Sequence, residues 1–255
     1  MMQQITLKNI GSGDYAFEEA VKTLRTNIQF CGSSIRTVML TSSEPNEGKS
    51  EVTFALARSF AQTGKKVLLI DADIRKSVLV SRYQLEEGVG GLSQYLSGQK
   101  KLEEVCYSTN VENLDVIFSG PYSPNPAELL EEDLFTNLVE RGKAEYDYVI
   151  IDTPPVMNVI DAAIVARVCD GAAIVIESGA ISYRIAQRVK QQMEKTGCRI
   201  LGVVLNKVSR EGGGYYSKKY GSYYRYGNYS KYKRYGAYPG KEDGGLNDGQ
   251  KAKQT

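Results

Sequence analysis

The chain has 255 residues, is 42% hydrophobic and 24% charged, and carries a net charge of +2, the profile of a soluble globular protein with one sizeable α/β domain or two small ones. It has no histidine, and its four cysteines (Cys31, Cys106, Cys169 and Cys198) lack a CxxC spacing, which excludes a Cys/His zinc site and points to reduced thiols in a cytoplasmic protein. The opening MMQQITLKNIGSGDY holds no apolar h-region, and no apolar stretch nears the ~20 residues of a spanning helix. Any membrane association is therefore expected to come through a partner or a surface contact.

In chain order, the first predicted element is a helix near Tyr15–Phe30, whose Phe17, Ala20, Val21, Leu24 and Ile28 share one face. Candidate buried strands follow at Thr37–Thr41, Lys66–Asp71, Leu114–Phe118, Tyr148–Asp152, Ala172–Glu177 and Ile200–Asn206. Several are continuous apolar runs, as a parallel sheet covered on both faces requires. Helices are expected between them at Glu51–Thr63, Ala127–Arg141, Val159–Val168 and Ser182–Thr196. This alternation predicts a doubly wound, mostly parallel α/β sheet. The pattern fades after Val208. Residues 211–255 contain 10 glycines and no run able to build a core, so one folded domain at 1–210 and a disordered tail at 211–255 are expected.

The strand at Thr37 runs into Ser43-Glu-Pro-Asn-Glu-Gly48-Lys49-Ser50 and then a helix, the context of a phosphate-binding loop. In such a loop the backbone N–H groups and the helix N-terminus hold phosphates, the lysine reaches the β/γ-phosphates, and the hydroxyl binds Mg²⁺. Ser43 stands where the pattern has its first glycine; Glu44, Pro45, Asn46, Glu47 and Glu51 complete the candidate nucleotide-binding stretch. An ordinary strand–helix turn containing Gly-Lys-Ser is the bland alternative. Two further segments weigh against it. Leu68-Leu-Ile-Asp71-Ala-Asp73 ends a strand in two carboxylates two residues apart, and Tyr148-Val-Ile-Ile-Asp152 ends another in a third. Alone, a strand-end aspartate can merely cap the next helix, but the carboxyl ends of parallel strands meet in one ligand crevice. Together these residues predict ATP·Mg²⁺ binding.

Ten tyrosines fall within Tyr215–Tyr238: Tyr215, Tyr216, Tyr220, Tyr223, Tyr224, Tyr226, Tyr229, Tyr232, Tyr235 and Tyr238. Gly, Ser, Lys and Arg separate them. Residues 1–210 carry 23 Lys and Arg against 26 Asp and Glu, a balance of −3, whereas 211–255 carry 9 against 4, a balance of +5. A mildly acidic body is thus joined to a basic, tyrosine-rich tail.

The segments TSSEPNEGKS, LLIDADIR and YVIIDTPP, in this order and followed by the tyrosine cluster, resemble the Walker A, Walker A′ and Walker B motifs of the bacterial tyrosine kinases, a P-loop NTPase family of the deviant Walker type that controls capsule and exopolysaccharide assembly. Ser119-Gly-Pro…Pro124-Asn-Pro-Ala-Glu-Leu-Leu130 is similar to another family segment, and Glu19-Ala-Val-Lys22-Thr-Leu-Arg25 to its E-x-x-R-x-x-R oligomerisation motif. The resemblance spans roughly residues 15–210 plus the tail. Lys22 departs from it, replacing a planar guanidinium by a point charge. An i,i+3 ion pair on a solvated helix face remains the alternative for Glu19, Lys22 and Arg25.

The resemblance implies that Lys49 neutralises the β/γ-phosphates, that Ser50, Asp71 and Asp152 serve Mg²⁺, and that Asn206 contacts adenine. A phenol gains from a proton acceptor; without histidine, Asp73 is the expected one, although Asp71 and Asp73 can exchange duties. The implied substrate is the tail of a neighbouring protomer in a homo-oligomeric ring, an octamer being one option. A flexible chain of 24 residues spans about 25–30 Å. Each phosphotyrosine adds about −1.5 to −2, so a few would reverse the tail's charge and are expected to drive the ring apart. The short segment before the first helix resembles the free form of these kinases, which a transmembrane adaptor recruits to the inner face of the cell membrane and activates. A cognate tyrosine phosphatase and further protein substrates are the other implied partners, and nucleic acid is not expected. Three other readings are a positioning ATPase, a single-stranded nucleic-acid binder stacking bases on tyrosines, and a self-associating low-complexity tail. Positioning ATPases typically carry an early lysine in the loop, where Ser-Glu-Pro-Asn stands here.

Overall fold

The computed structural model describes residues 3–209, apart from 12–13 and 86–87. The tyrosine cluster and the expected boundary at residue 210 lie outside the described residues. The strands are β1 (Gln3–Ile5), β2 (Thr37–Ser42), β3 (Val67–Asp71), β4 (Cys106–Thr109), β5 (Leu114–Ile117), β6 (Tyr148–Asp152), β7 (Gly171–Glu177) and β8 (Ile200–Asn206). The helices are α1 (Tyr15–Phe30), α2 (Lys49–Ala61), α3 (Leu79–Arg82), α4 (Leu92–Leu96), α5 (Pro126–Glu131), α6 (Asp133–Glu145), α7 (Asp161–Ala166) and α8 (Tyr183–Glu194).

The strands form one eight-stranded sheet in the order β1-β4-β5-β3-β6-β2-β7-β8, parallel except where β4 meets β5. Its apolar runs divide between two cores because successive side chains point to opposite faces. Met39, Leu68, Ile70, Val149, Ile151 and Ile174 pack in one core with residues of α4 to α8. Val38, Leu40, Val67, Leu69, Ile150 and Val175 pack in the other with residues of α1 to α3. The expected doubly wound α/β sheet is therefore present. The central order β3-β6-β2 places the candidate carboxylates and the candidate phosphate loop side by side.

Three expectations need correcting. The single helix expected over Ala127–Arg141 is two, broken at Glu132, which is extended (φ −63°, ψ 147°). In one continuous helix Leu130, Leu134 and Leu138 would share a face; instead Leu134 is exposed and Phe135 is buried. The sequence reading missed β1 and β4, which are three and four residues long with little apolar content. It also missed α3 and α4, of four and five residues, too short to show a helical period.

Candidate active site

The loop from Ser43 to Gly48 begins where β2 ends. Ser42 Oγ donates to the carbonyl of Glu44 at 2.9 Å, and the chain turns through Asn46 and Gly48, both at positive φ (68° and 84°). Gly48 precedes α2 and supplies no side-chain cap. The first N–H groups of a helix have no partner within it, so the positive end of α2 faces the loop ready for an anion. A Cβ on Gly48 would lie 2.2 Å from Asn206 Nδ2.

The side chains of this stretch divide between the site and its supports. Glu47 is only 2% exposed; its carboxylate accepts from the backbone N–H of Glu44 (2.8 Å) and of Glu177 at the end of β7 (3.2 Å). Asn206, ending β8, donates from Nδ2 to the Glu47 carbonyl at 2.9 Å. Lys207 Nζ donates to the Asn46 carbonyl at 2.6 Å and pairs with Glu177 at 2.8 Å. Glu51 points away to Arg82 at 3.2 Å. Ser43 Oγ is buried and has no hydrogen-bond partner among the described residues.

Register places Asp71 directly opposite Asp152 on β3 and β6. Lys49, 6% exposed, lies between the two halves of the site: its Nζ is 2.6 Å from Asp152 Oδ1 and 3.1 Å from Ser50 Oγ. Thr53, one turn further along α2, places Oγ1 3.0 Å from the same Asp152 oxygen. Asp71 accepts from the Ser77 hydroxyl and from the Asp73 N–H (3.2 Å). Burial, and secondarily the neighbouring Asp152 carboxylate, push the Asp71 carboxyl up to about 7. Burial also raises Asp73, whose Oδ1 accepts from the Lys76 N–H at 3.0 Å. Arg75 completes this turn with a two-pronged pair to Asp161, at 2.7 and 2.9 Å; Asp161 is fully buried at the start of α7.

The chain matches the AAA domain family over residues 36–199. It is 42% identical over 210 residues to the tyrosine-protein kinase CpsD of Streptococcus agalactiae, covering 82% of this chain and 90% of that protein. The tyrosine-protein kinase YwqD of Bacillus subtilis is likewise 42% identical over 206 residues, covering 79% of this chain and 86% of that one. The chain belongs to the bacterial tyrosine-protein kinases. In structure, the kinase domain of Escherichia coli tyrosine kinase ETK superposes with a TM-score of 0.74 at 36% identity, covering 78% of this chain and 79% of that domain.

In this tyrosine kinase the fold thus brings Lys49, Ser50, Asp71, Asp73 and Asp152 together at the carboxyl ends of β3 and β6. Among the described residues no three His, Cys, Asp or Glu side chains are arranged to hold a metal on their own. Mg²⁺ is usually held by one or two carboxylates with phosphates and waters. The Ser50 hydroxyl and the facing Asp71 and Asp152 are such a partial set. Asn206 braces the phosphate loop through its amide nitrogen, leaving Oδ1 for other contacts. On α1, Glu19 and Lys22 form an exposed i,i+3 pair at 2.7 Å, whereas Arg25 turns inward to Ser59 of α2, at 2.9 Å from its carbonyl and 3.0 Å from its hydroxyl.

Sequence reasoning missed Thr53, Ser77, Asp161 and the bracing role of Glu47. Thr53 was readable as the residue one helical turn beyond Lys49. The Arg75–Asp161 pair spans 86 positions, and nothing local signals it. Among the described residues no helix is long and apolar enough to cross a membrane.

Proposed function

We propose that this kinase phosphorylates its own C-terminal tyrosines, Tyr215 to Tyr238, in trans within a homo-oligomer, using Lys49, Ser50, Asp71, Asp73 and Asp152. One observation carries the assignment. Lys49 at the start of α2 is held on Asp152, with Asp71 facing it across the sheet and Asp73 two residues on. ATP is the phosphoryl donor, and its phosphates lie against the N–H groups of the Ser43–Ser50 loop. Lys49 leaves Asp152 for the β/γ-phosphates, which frees Asp152 to serve Mg²⁺ with Asp71 and Ser50. When bound, Mg²⁺ neutralises charge that develops on the phosphates. The acceptor phenol oxygen bonds to the γ-phosphorus as the bond to the β–γ bridging oxygen breaks. Its proton passes to the Asp73 carboxylate, and ADP departs.

Asn206 Oδ1 is the remaining group on that side chain for an adenine contact; Glu19 and Lys22 belong to the face that meets the next protomer, while Arg25 ties that helix to Ser59 of α2. The proposed setting is the cytoplasmic face of the membrane, where a transmembrane adaptor activates the kinase, a tyrosine phosphatase resets it, and the output is capsular or exopolysaccharide assembly and export. Accumulating tail phosphate disperses the oligomer.

The test mixes a Lys49→Met chain carrying all tail tyrosines with a kinase-competent chain whose ten tail tyrosines are phenylalanine, in ATP·Mg²⁺. Phosphotyrosine on the Lys49→Met chain is expected by mass spectrometry. ATP hydrolysis with no phosphotyrosine on the wild-type tail would refute the tail as acceptor, and a modified wild-type tail with an unmodified Lys49→Met tail would refute transfer in trans.

A further inference from the structure

The tail tyrosines have a spacing that a mere enrichment would not produce. From Tyr220 to Tyr238 every third residue is tyrosine, giving seven of the ten a common period. In a polyproline-II-like chain three residues complete one turn of about 9 Å, so side chains three residues apart project to the same side. A Tyr-x-x-Tyr unit therefore offers two phenol groups at a fixed interval, and the same interval recurs at every step along the segment.

Beside Asp73 the structure has an open cleft of about 470 Å³, within the size range of small-ligand sites. Its lining joins the apolar Val80, Leu85 and Val89 to Asp73, Lys76 and Tyr122. Tyr122 is 72% exposed and offers an aromatic face at the surface. The two cations of the turn differ. Arg75 is committed to Asp161 through both prongs of its guanidinium. Lys76 uses its backbone N–H to hold Asp73, while its exposed ammonium has no ion pair among the described residues. A carboxylate that can accept a phenol proton and an uncommitted ammonium thus sit three residues apart on one turn.

We propose that this cleft takes two successive members of the Tyr-x-x-Tyr repeat at once, the acceptor phenol at Asp73 and an already phosphorylated neighbour at Lys76, so that each phosphorylation favours the next. The inference rests on the tail being the acceptor. An unmodified neighbour offers Lys76 nothing ionic, whereas a phosphotyrosine brings a charge of about −1.5 to −2 and three strong acceptor oxygens. One charge-assisted hydrogen bond favours the primed register by roughly tenfold. The period does the rest, since moving the chain by three residues replaces acceptor and primer by the next pair.

The test follows the full chain in ATP·Mg²⁺ by intact mass and by site mapping. Chains with several phosphates are expected while unmodified chain is still abundant, with occupied sites separated by three residues. Lys76→Glu should bring the distribution towards that of independent sites, and Lys76→Arg should retain the skew. A wild-type distribution matching independent sites, or the same skew in Lys76→Glu, overturns the proposal. Because Lys76→Glu also alters the Asp73 turn, a second arm uses wild-type chain and synthetic peptides. A peptide with phosphotyrosine three residues from the acceptor should show a KM about tenfold below one with phosphotyrosine five residues away. Equal KM values overturn the proposal. A tail that takes no phosphate at all would remove the acceptor reading itself, a failure distinct from that of the spacing rule.

Discussion

Replacing Gly48 by alanine tests how the phosphate loop keeps its shape. Gly48 lies at φ 84°, where an L-residue costs about 1–2 kcal/mol. The added Cβ would also lie 2.2 Å from Asn206 Nδ2. That amide must swing aside and give up its 2.9 Å bond to the Glu47 carbonyl, worth about 1 kcal/mol. The expected total is about 2–3 kcal/mol, or a Tm about 4–12 °C lower for a domain of this size. The two causes separate in a double-mutant cycle. In an Asn206→Ala background the bond is already lost and the clash removed, so Gly48→Ala should cost only the backbone strain. Urea melts of the four proteins should then give a coupling of about 1 kcal/mol. Strictly additive costs would show that Asn206 does not brace the loop and would refute the reasoning.

Lys49→Met should abolish tyrosine phosphorylation and also lower the stability of the nucleotide-free protein by about 3–5 kcal/mol, because it leaves Asp152 buried beside Asp71 without a cation; urea melts without ATP measure the second effect. Because the folded Asp71 carboxyl titrates near 7, well above its unfolded value, the native state holds the extra proton between about pH 4 and 7. Stability from this group is therefore greatest at low pH and declines as pH rises to about 7, a decline that Asp71→Asn should remove in melts at pH 5 and 8. By the same ionisation, apparent Mg²⁺ affinity in kinase assays should rise as pH passes through 7. Asp161→Asn should cost about 1–3 kcal/mol by disrupting the paired Arg75 prongs, and should reduce kcat more than KM for ATP, since the pair anchors the turn that carries Asp73 rather than the phosphate loop.

What was legible in the sequence follows from how local each signal is. Of the six strands expected, β2, β3, β6 and β7 are runs buried on both faces, which leaves no room for alternation, so composition alone reveals them; β5 and the partly exposed β8 show through their Val, Ile and Leu content. Lys49, Asp71 and Asp152 were readable because strand ends and a loop before a helix are chain-local features. β1 and β4 were not, because strands this short with sequences such as Gln3–Ile5 are fixed by pairing partners, here β1 with β4 and β4 with β5. The same holds for Asp161, whose partner is 86 residues away. As a loop residue Glu47 reads as a nucleotide contact, yet its side chain faces β7, because position in a motif does not fix the direction of a side chain.

Glu47 also accounts for the departure at Ser43. Glycines let a phosphate loop fold its N–H groups inward, but they leave it loose before the ligand arrives. Here Ser43 replaces one glycine, and the shape is set instead by side chains. The Glu47 carboxylate ties Glu44 to β7, Asn206 holds the Glu47 carbonyl, and Lys207 holds that of Asn46. Such a loop meets the phosphates already formed, which lowers the ordering cost of binding. If so, Glu47→Gln, which keeps one acceptor but loses the charge, should raise KM for ATP several-fold with kcat changed little, and Glu47→Ala should raise it further. A Glu47→Ala kinase with unchanged KM would mean that the loop is held by its backbone alone.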